Sequence, residues 1–562
     1  MFSDFALFGW PFVALIAFVM LPVRRAVFFA VITGWLMLPN DGHLLPGLPD
    51  YTKSTAVSLS ALVGIVMFDS RTLLAFRPRW VDGPAVMLCI APFFSSVTNG
   101  LGAYDGVSAA IGNTFIWGIP YLAGRLYVRN LDDARELAIA LMIGGLMYAP
   151  LCLYEIRMAP VLHSYVYGFH QHDFVQTMRL GGWRPVVFLT HGLAVGAWMA
   201  VTAMVAVGLW ILGGVRSWRQ IPMSAIAGGL TVTSVLVKSL GAMGLMFMSF
   251  AVIAGMRFTG RWTLIAVLAM AGPGYLGLRV VSGWEMTEVI GFIDSTVGEA
   301  RADSLETRVL NEIVLTERAL ERPIFGWGGW GRMRDTARDD GGRIITDSMW
   351  IIALGETGLF GLTGLIALHM VPTLALTRRR KLLLSRGRAG FGVAVVLGLG
   401  VIMVMFDSLL NAMPNPAFIL MMAALASLAV APLPVPAGQP AGQPNGSGGT
   451  ANAAGRGFGP GLGVAAAAGM AHDGPAELGG APAAGSRQLP PARVHPAVRR
   501  MEAVRARAAQ RNALPDTGPA RGRAAELPPG SAPNPTIRRR PADDESRPPA
   551  DEPRPGPADD AS

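Results

Sequence analysis

The sequence predicts an all-α polytopic membrane protein followed by a disordered C-terminal tail. Apolar residues make up 52% of the 562-residue chain and charged residues only 15%, whereas soluble domains carry about 25% charged residues. The apolar residues are collected in runs of about 20, the length that spans the hydrocarbon core of a bilayer. Composition changes abruptly after residue 432, where the long apolar runs end. These three observations exclude a string of soluble domains.

The N-terminal part, residues 1–432, contains thirteen apolar runs, which predict about 12–13 transmembrane helices. The first run has no preceding basic stretch and no small-residue cleavage site, so it is interpreted as a span and not as a signal peptide. The predicted spans are residues 5–22, 24–39, 54–69, 81–98, 107–124, 134–155, 186–213, 221–238, 240–257, 262–281, 348–373, 389–410 and 415–432.

Basic residues follow every odd-numbered run up to the eleventh, as at Arg24-Arg25 and at Arg378-Arg379-Arg380-Lys381. Because Lys and Arg in short loops mark the cytoplasmic side, the pattern predicts a bacterial inner-membrane protein with a periplasmic N-terminus and a cytoplasmic tail. The longer loops, 157–185 and 282–347, then face the periplasm. The net charge of +9 is interpreted as this same bias and not as a nucleic-acid-binding surface.

The tail, residues 433–562, is rich in Pro, Ala, Gly and Arg. Such a segment cannot bury enough apolar surface to offset its chain entropy, so we expect it to be disordered. The two cysteines, Cys89 and Cys152, lie in separate apolar runs. They are expected to be buried thiols, because two residues so placed cannot form a disulfide framework or a zinc site.

The predicted periplasmic loop 282–347 contains a helix. Asp303 and Glu306 have the spacing of a capping box, apolar residues recur at helical spacing after them, and Arg322-Pro323 marks the end. A glycine-rich stretch with Trp327 and Trp330 follows. Glycines beside tryptophans can form an aromatic wall for sugar rings or lipid headgroups, although an interfacial aromatic belt has the same composition.

This region resembles the signature region of the O-antigen ligase and O-antigen polymerase superfamily. The resemblance covers about residues 300–365 and is looser at residues 179–191 and 238–242. Its elements are Arg308 on the predicted helix, Arg322-Pro323 followed by Gly326 and Gly328, the pair Asp347-Ser348, and Glu356-Thr357-Gly358-Leu359 followed by Gly361.

The resemblance implies a glycosyltransferase-C-like fold and a membrane glycan ligase or polymerase. Such enzymes transfer a glycan from a polyprenyl diphosphate-linked donor to a sugar hydroxyl on the periplasmic side, in O-antigen or exopolysaccharide assembly, without a cofactor or metal. Implied partners are the donor, a glycan or lipid acceptor, membrane lipids and other polysaccharide-assembly proteins. No nucleic acid is expected.

Cationic residues are the predicted diphosphate ligands, because guanidinium groups bind phosphate oxygens bidentately. Arg308 matches the family's arginine on the periplasmic helix, although a salt bridge with Glu312 would explain it as well. Arg184 is a second candidate clamp. Lys238 is a third, unless it merely extends from a span end to the membrane surface.

The candidate base is Asp347, at the position where the family has a histidine. A carboxylate can also accept the proton of an attacking hydroxyl. Arg179 and His191 bound the segment that leads into the seventh span and are predicted to bind substrate, unless His191 simply packs. The alternative function is a non-catalytic transporter or flippase, or a scaffold for polysaccharide export. A flippase should carry charges along a central cavity, whereas these polar groups gather at one face.

Two further polar groups have ordinary explanations. His170 and His172 lie in a loop, where solvated histidines are more common than a metal site that has no third ligand. Asp407 and Asn411, near the outer end of the twelfth span, either line the same cavity or join neighbouring helices through hydrogen bonds.

Overall fold

A computed structural model describes residues 2–45, 49–259, 263–329, 331–335, 348–385 and 387–431, with Arg500 and Ala503 from the tail. Asp347 and Trp330 lie outside the described residues, as does nearly all of the tail. The helices are α1 (Phe2–Met20), α2 (Val23–Met37), α3 (Lys53–Leu74), α4 (Gly83–Thr98), α5 (Ala103–Asn113), α6 (Ile119–Tyr127), α7 (Leu131–Met158), α8 (Leu162–Tyr167), α9 (Gly192–Ile211), α10 (Met223–Leu236), α11 (Leu240–Thr259), α12 (Thr263–Val281), α13 (Thr287–Val297), α14 (Glu299–Leu320), α15 (Arg332–Asp335), α16 (Met349–Arg378), α17 (Arg380–Ser385), α18 (Gly387–Ser408) and α19 (Pro416–Val430).

The only other regular elements among the described residues are short. Three antiparallel hairpins pair β1 (Gly42–His43) with β2 (Tyr51–Thr52), β3 (Met178–Arg179) with β4 (Gly182–Trp183), and β5 (Ser217–Trp218) with β6 (Ile221–Pro222). Single turns lie at Trp80–Asp82 and Phe174–Thr177, and a π-helical turn at Thr114–Gly118 joins α5 to α6.

A helix occupies each of the thirteen apolar runs, the fifth being α5 and α6 with the turn between them. Within the described part of the chain, nine helices are long and apolar enough to cross a membrane. They are α1, α3, α4 with its preceding turn, α7, α9, α11, α12, α16 and α18. The prediction of an all-α, multi-pass membrane protein is confirmed at this level.

The centre of the bundle is formed by α9, α18 and α19, whose residues are almost all buried. Trp198 of α9 is fully buried and stacks on Phe418 of α19 at 5.9 Å between ring centroids. Their uniform apolarity explains this position, since a helix that is apolar on every side is stable only when surrounded by apolar groups. The more exposed helices, such as α1 and α12, lie around them.

Connections at the two ends of the bundle differ in character. One end, here called the loop end, carries segments 38–45, 99–102, 159–191 and 282–329. These segments contact one another, for instance where the Asn40 amide donates to the Phe188 carbonyl at 2.9 Å and the Asn99 amide to the Gly326 carbonyl at 2.9 Å.

The opposite end, here called the arginine end, carries segments 21–25, 75–82, 128–136, 212–222 and 378–385. Here Arg24 pairs with Asp133, and the buried Arg125 lies 2.6 Å from Asp82. Arg379 donates to the carbonyl of Ala431, which closes α19. Most of the arginines that suggested an orientation therefore collect at one end of the bundle.

Arg500 is one of the two tail residues that the structure describes. Its guanidinium lies 2.8 Å from Glu285 and 3.8 Å from Glu306, both at the loop end, whereas α19 ends at the arginine end. The cytoplasmic location of the tail stays a prediction.

Candidate functional site

The glycines of the 324–328 segment allow its backbone to dock on a break in α16. Gly358 interrupts that helix with φ of 65°, and Gly326 has φ of 71°, a region that side chains disfavour. The Trp327 N–H donates to the Gly355 carbonyl at 2.8 Å, and the Gly328 N–H donates to the Glu356 carbonyl at 3.1 Å. The glycine signature thus fastens the segment after α14 to α16.

Trp327 is held by the last turn of α14. Its indole N–H donates to the Arg318 carbonyl at 2.8 Å, and the guanidinium groups of Arg318 and Arg322 lie 3.9 and 4.3 Å from its ring centroid. The ring therefore contacts two cations of its own chain. The aromatic wall of Trp327 and Trp330 stays a prediction, since Trp330 lies outside the described residues.

A buried ion pair joins three helices beside this region. Arg279 of α12 lies 3.0 Å from Glu312 of α14, and both side chains are almost fully buried. The hydroxyl of Ser348, immediately before α16, donates a hydrogen bond to the same carboxylate. Burial raises the pKa of the Glu312 carboxyl, while Ser348 and Arg279 favour its charged form. Glu312 thus has Arg279 as its ion-pair partner in the described part of the chain, and not Arg308.

Arg308, one turn before Glu312, extends toward the end of α18 instead. Its guanidinium lies 3.5 Å from the Leu410 carbonyl and is within electrostatic range of Asp407. The Asn411 amide donates to the Asp407 carboxylate at 2.7 Å. Asp407 and Asn411 are therefore hydrogen-bonded to each other at the end of α18, and the guanidinium of Arg308 lies beside this pair.

Arg184 approaches the N-terminus of α9 from the segment after β4. Its side chain is buried, and its Nη2 lies 3.4 Å from the Ser239 hydroxyl between α10 and α11. A Cβ at Gly192 would stand 2.7 Å from the Arg184 Nε, so this glycine leaves room for the guanidinium. The Arg184 backbone N–H also donates to the Thr177 carbonyl at 2.7 Å.

Lys238 reaches the hairpin of β3 and β4. A Cβ at Gly182 would lie 2.2 Å from the Lys238 ammonium nitrogen, so the missing side chain at Gly182 makes space for this cation. Lys238 itself has φ of 60°, a conformation that costs free energy in a residue other than glycine. The side chain therefore lies against Gly182 of the hairpin rather than simply extending away from its helix end.

His191 stands among these cations as the N-cap residue of α9. Its Nδ1 accepts a hydrogen bond from the Leu193 N–H at 3.0 Å, so in the neutral ring the proton is on Nε2, which lies 3.4 Å from the Gln176 amide oxygen. Burial, followed by the charges of Arg184, His172, Arg179 and Arg308, lowers the pKa of His191 to about 3.

The structure therefore brings together most of the described residues that the sequence nominated. Arg179 and Arg184 come from the hairpin region, and Arg308 comes from α14; all three act electrostatically on His191. Lys238 approaches the same hairpin from the α10–α11 connection. A narrow cleft at the loop end is lined by Arg184, His191 and their neighbours. Several cations around a neutral imidazole N–H form a site suited to a multiply charged anion.

A carboxylate that sequence reasoning did not single out binds the backbone that follows Arg184. Glu155, buried near the end of α7, accepts hydrogen bonds from the N–H groups of Val186 and Val187 at 2.8 Å and from that of Leu162 at 3.0 Å. Lys53 donates to the Phe188 carbonyl at 2.7 Å. Glu155 and Lys53 could have been noticed in the sequence, because each is an ionisable residue inside or at the end of an apolar run. Such residues have a functional or structural partner.

Two groups bear on metal binding. Both ring nitrogens of His170 face backbone carbonyls, those of His172 and Pro160. In a separate group at the loop end, ligand atoms of Asp4, Asp41 and His43 lie within 4.8 Å of one another. Sequence reasoning missed this group, because Asp4 and His43 belong to different segments.

The chain matches no family model and no curated protein. Function is therefore inferred from the contacts at the loop end.

Proposed function

We propose that this protein is a membrane glycan ligase or polymerase that transfers a glycan from a polyprenyl diphosphate-linked donor to a sugar hydroxyl. One observation supports this most directly: Arg184 lies against the N-terminus of α9 beside the neutral His191, and the charges of Arg179 and Arg308 also act on that ring, at one end of an apolar helix bundle. A polyprenyl donor holds its diphosphate at such a position, because its tail lies in the bilayer and its charged group lies at the surface.

The proposed orientation follows from the distribution of cations. The arginine end faces the cytoplasm of the bacterial inner membrane, so the loop end and its cation cluster face the periplasm. In this arrangement, Arg184 and Arg308 bind the phosphate oxygens through paired N–H groups. Lys238 adds charge, and the His191 Nε2–H donates one more hydrogen bond. Arg179, on the neighbouring strand β3, would contact the glycan.

The proposed reaction is a displacement at the anomeric carbon. The acceptor oxygen forms the new bond to that carbon while the bond to the donor phosphate oxygen breaks. The bonding electron pair leaves with the polyprenyl diphosphate, where the cations stabilise the developing charge. The acceptor proton goes to a carboxylate, for which Asp347 is the proposed base. Its neighbour in the sequence, Ser348, donates a hydrogen bond to Glu312, one turn from Arg308.

The test is product formation by Arg308→Ala in cells that depend on this protein for glycan assembly. We expect product to fall by about tenfold to a hundredfold, the range for losing one hydrogen bond to a charged group, at unchanged protein level. Arg308→Lys should retain part of the activity. Arg318→Ala, on the same helix but stacked on Trp327, is the matched control and should retain the parent's product level.

The location of the accumulated donor separates an enzyme from a flippase. Loss of a ligase or polymerase leaves lipid-linked glycan exposed on the periplasmic face, where added glycosidase can reach it. Loss of a flippase leaves it on the cytoplasmic face. Normal product from Arg308→Ala, or donor confined to the cytoplasmic face, would overturn the proposed transferase.

A further inference from the structure

A second binding site lies at the arginine end, far from the cation cluster. A cavity of about 850 Å³ opens between α2, α7 and the hairpin of β5 and β6, within the range of small-molecule sites. It is called the α2–α7 groove below. Its walls are mostly apolar and include Phe28, Phe29, Ile32, Ile139, Ile143 and Met147.

The groove has the depth of one bilayer leaflet. Its lining on α7 runs from Asp132 to Met147, and fifteen residues of α-helix span about 22 Å. Half of a bilayer about 40–45 Å thick, headgroup regions included, is about 20–22 Å. An acyl chain that enters beside Arg135 therefore reaches the end of the groove near the middle of the membrane.

The mouth of the groove is cationic. Three arginines and two carboxylates line it, but Arg25 is already paired with Glu136. Arg135 and Arg219 have no ion-pair partner among the described residues, and the Arg135 Nε is buried there without a hydrogen-bond partner. These two guanidinium groups are available to an anion at the mouth.

The hairpin that carries Arg219 is built with unusual backbone geometry. Arg219 and Gln220 form its two-residue turn with φ of 45° and 67°, values that such turns normally assign to Gly, Asn or Asp. The Arg219 guanidinium lies 5.3 Å from the Trp218 ring centroid, and Trp218 also lines the groove. The turn thus presents an aromatic ring and a cation together, the combination found where a membrane meets water.

We propose that the α2–α7 groove binds an anionic phospholipid of the surrounding leaflet, with an acyl chain along α7 and the phosphate between Arg135 and Arg219. The apolar depth matches one leaflet, and the charge at the mouth is complementary to an acidic headgroup. Basic pockets between transmembrane helices are known to select such headgroups. This site is independent of the proposed glycan transfer and uses none of its residues.

The experiment measures lipid retained by the full-length protein. Purified protein is placed in nanodiscs of equal parts phosphatidylglycerol and phosphatidylcholine, extracted with mild detergent, and analysed by native mass spectrometry. We expect bound phosphatidylglycerol to exceed phosphatidylcholine. The double variant Arg135→Gln/Arg219→Gln should lower this ratio by about thirtyfold, the scale for two basic side chains at a membrane surface.

Three comparisons define the site further. Arg71→Gln/Arg216→Gln removes the same charge at the same end but outside the groove, and it should keep the parent ratio. Ala140→Trp fills the apolar part and should release the lipid although both arginines remain. Soluble glycerol 3-phosphate should not displace the lipid, because it has no acyl chain.

Three results would overturn the proposed lipid site. They are an unchanged lipid ratio in the Arg135/Arg219 variant, full retention of phosphatidylglycerol in Ala140→Trp, and displacement by glycerol 3-phosphate, which would indicate a site for phosphate alone. Each variant is first checked for a single monodisperse peak in size-exclusion chromatography. If a glutamine variant aggregates, Arg135→Lys/Arg219→Lys, which keeps both charges, replaces it. This lysine variant should retain the parent lipid ratio.

Discussion

Gly326 and Gly358 lie backbone against backbone, so that a Cβ on Gly326 would stand 2.6 Å from the Gly358 nitrogen. Both have positive φ, and neither position has room for a side chain. Gly326→Ala or Gly358→Ala should lower the free energy of unfolding by at least ~1–3 kcal/mol, the cost of such a conformation before any clash. Thermal unfolding in detergent measures this effect.

The matched control for these glycines is Gly244→Ala in α11, where an added Cβ meets nothing within 4 Å. It should leave stability unchanged or raise it slightly, since alanine is favoured over glycine inside a helix. Equal melting temperatures for Gly358→Ala and the parent would show that the close approach does not exist.

His191 should remain neutral in the ligand-free protein well below the usual histidine range. Its pKa is lowered from 6.5 to about 3 by burial and by nearby cations. The unfolded chain binds a proton at a pH where the folded chain does not, so folding stability should fall as pH drops from about 6.5 toward 3. In His191→Asn this dependence should be weaker.

Anion binding should reverse this effect on His191. A diphosphate placed between Arg184 and Arg308 neutralises the charges that disfavour the imidazolium, so the pKa of His191 should rise when inorganic pyrophosphate is added. Histidine-selective NMR, with the resonance assigned by its loss in His191→Asn, measures both states. A normal titration near 6.5 without ligand would contradict the cation cluster around this ring.

Gly182→Ala tests the position of Lys238 without removing its charge. The added methyl would occupy the site of the ammonium nitrogen, 2.2 Å away, and a flexible lysine can move aside at little cost in stability. We therefore expect product formation to fall toward the level of Lys238→Ala at an unchanged melting temperature. Gly241→Ala, whose Cβ meets nothing within 4 Å, should behave as the parent protein.

The buried pair of Arg279 and Glu312 should be highly sensitive to single substitutions. Removing one partner leaves a buried charge uncompensated, which costs about 3–5 kcal/mol. The losses of unfolding free energy in Arg279→Met and in Glu312→Gln should each exceed half of the loss in the double variant. The two single losses together are then larger than the loss in the double variant, because the double variant leaves no unpaired buried charge. A double-mutant cycle of unfolding free energies measures the coupling, and additive effects would disprove it.

The side on which the tail lies can be determined with cysteine labelling. A cysteine at Ala503, in a chain with Cys89→Ser and Cys152→Ala, should react with a membrane-impermeant maleimide only after the cells are permeabilised. Labelling in intact cells would instead agree with the contact between Arg500 and Glu285. A cysteine at the exposed Leu44 of the loop end provides the opposite control.

Sequence patterns predicted best those features that depend on residues close together in the chain. Apolar runs predicted every membrane helix, because the span of a bilayer fixes the length of the run. Arg308 and Arg184 were nominated from residue type and position, and the structure places both near His191. Gly326 and Gly358 were noted only as elements of the resemblance, and their contact with each other was not evident from the pattern.

Partners that come from distant helices could not be predicted in the same way. Glu312 was considered as a partner of Arg308, four residues away, yet it pairs with Arg279 of another helix. This contact depends on how helices pack, which neither periodicity nor spacing encodes.

Two attachments tie α14 to its neighbours. Glu312 joins the middle of this helix to Arg279 and Ser348, and the backbone of Trp327 joins the segment after it to Gly355. In the proposed transfer, α14 and the start of α16 would therefore stay together while a donor enters. The small hairpin of β3 and β4 would then be the element that has to be displaced.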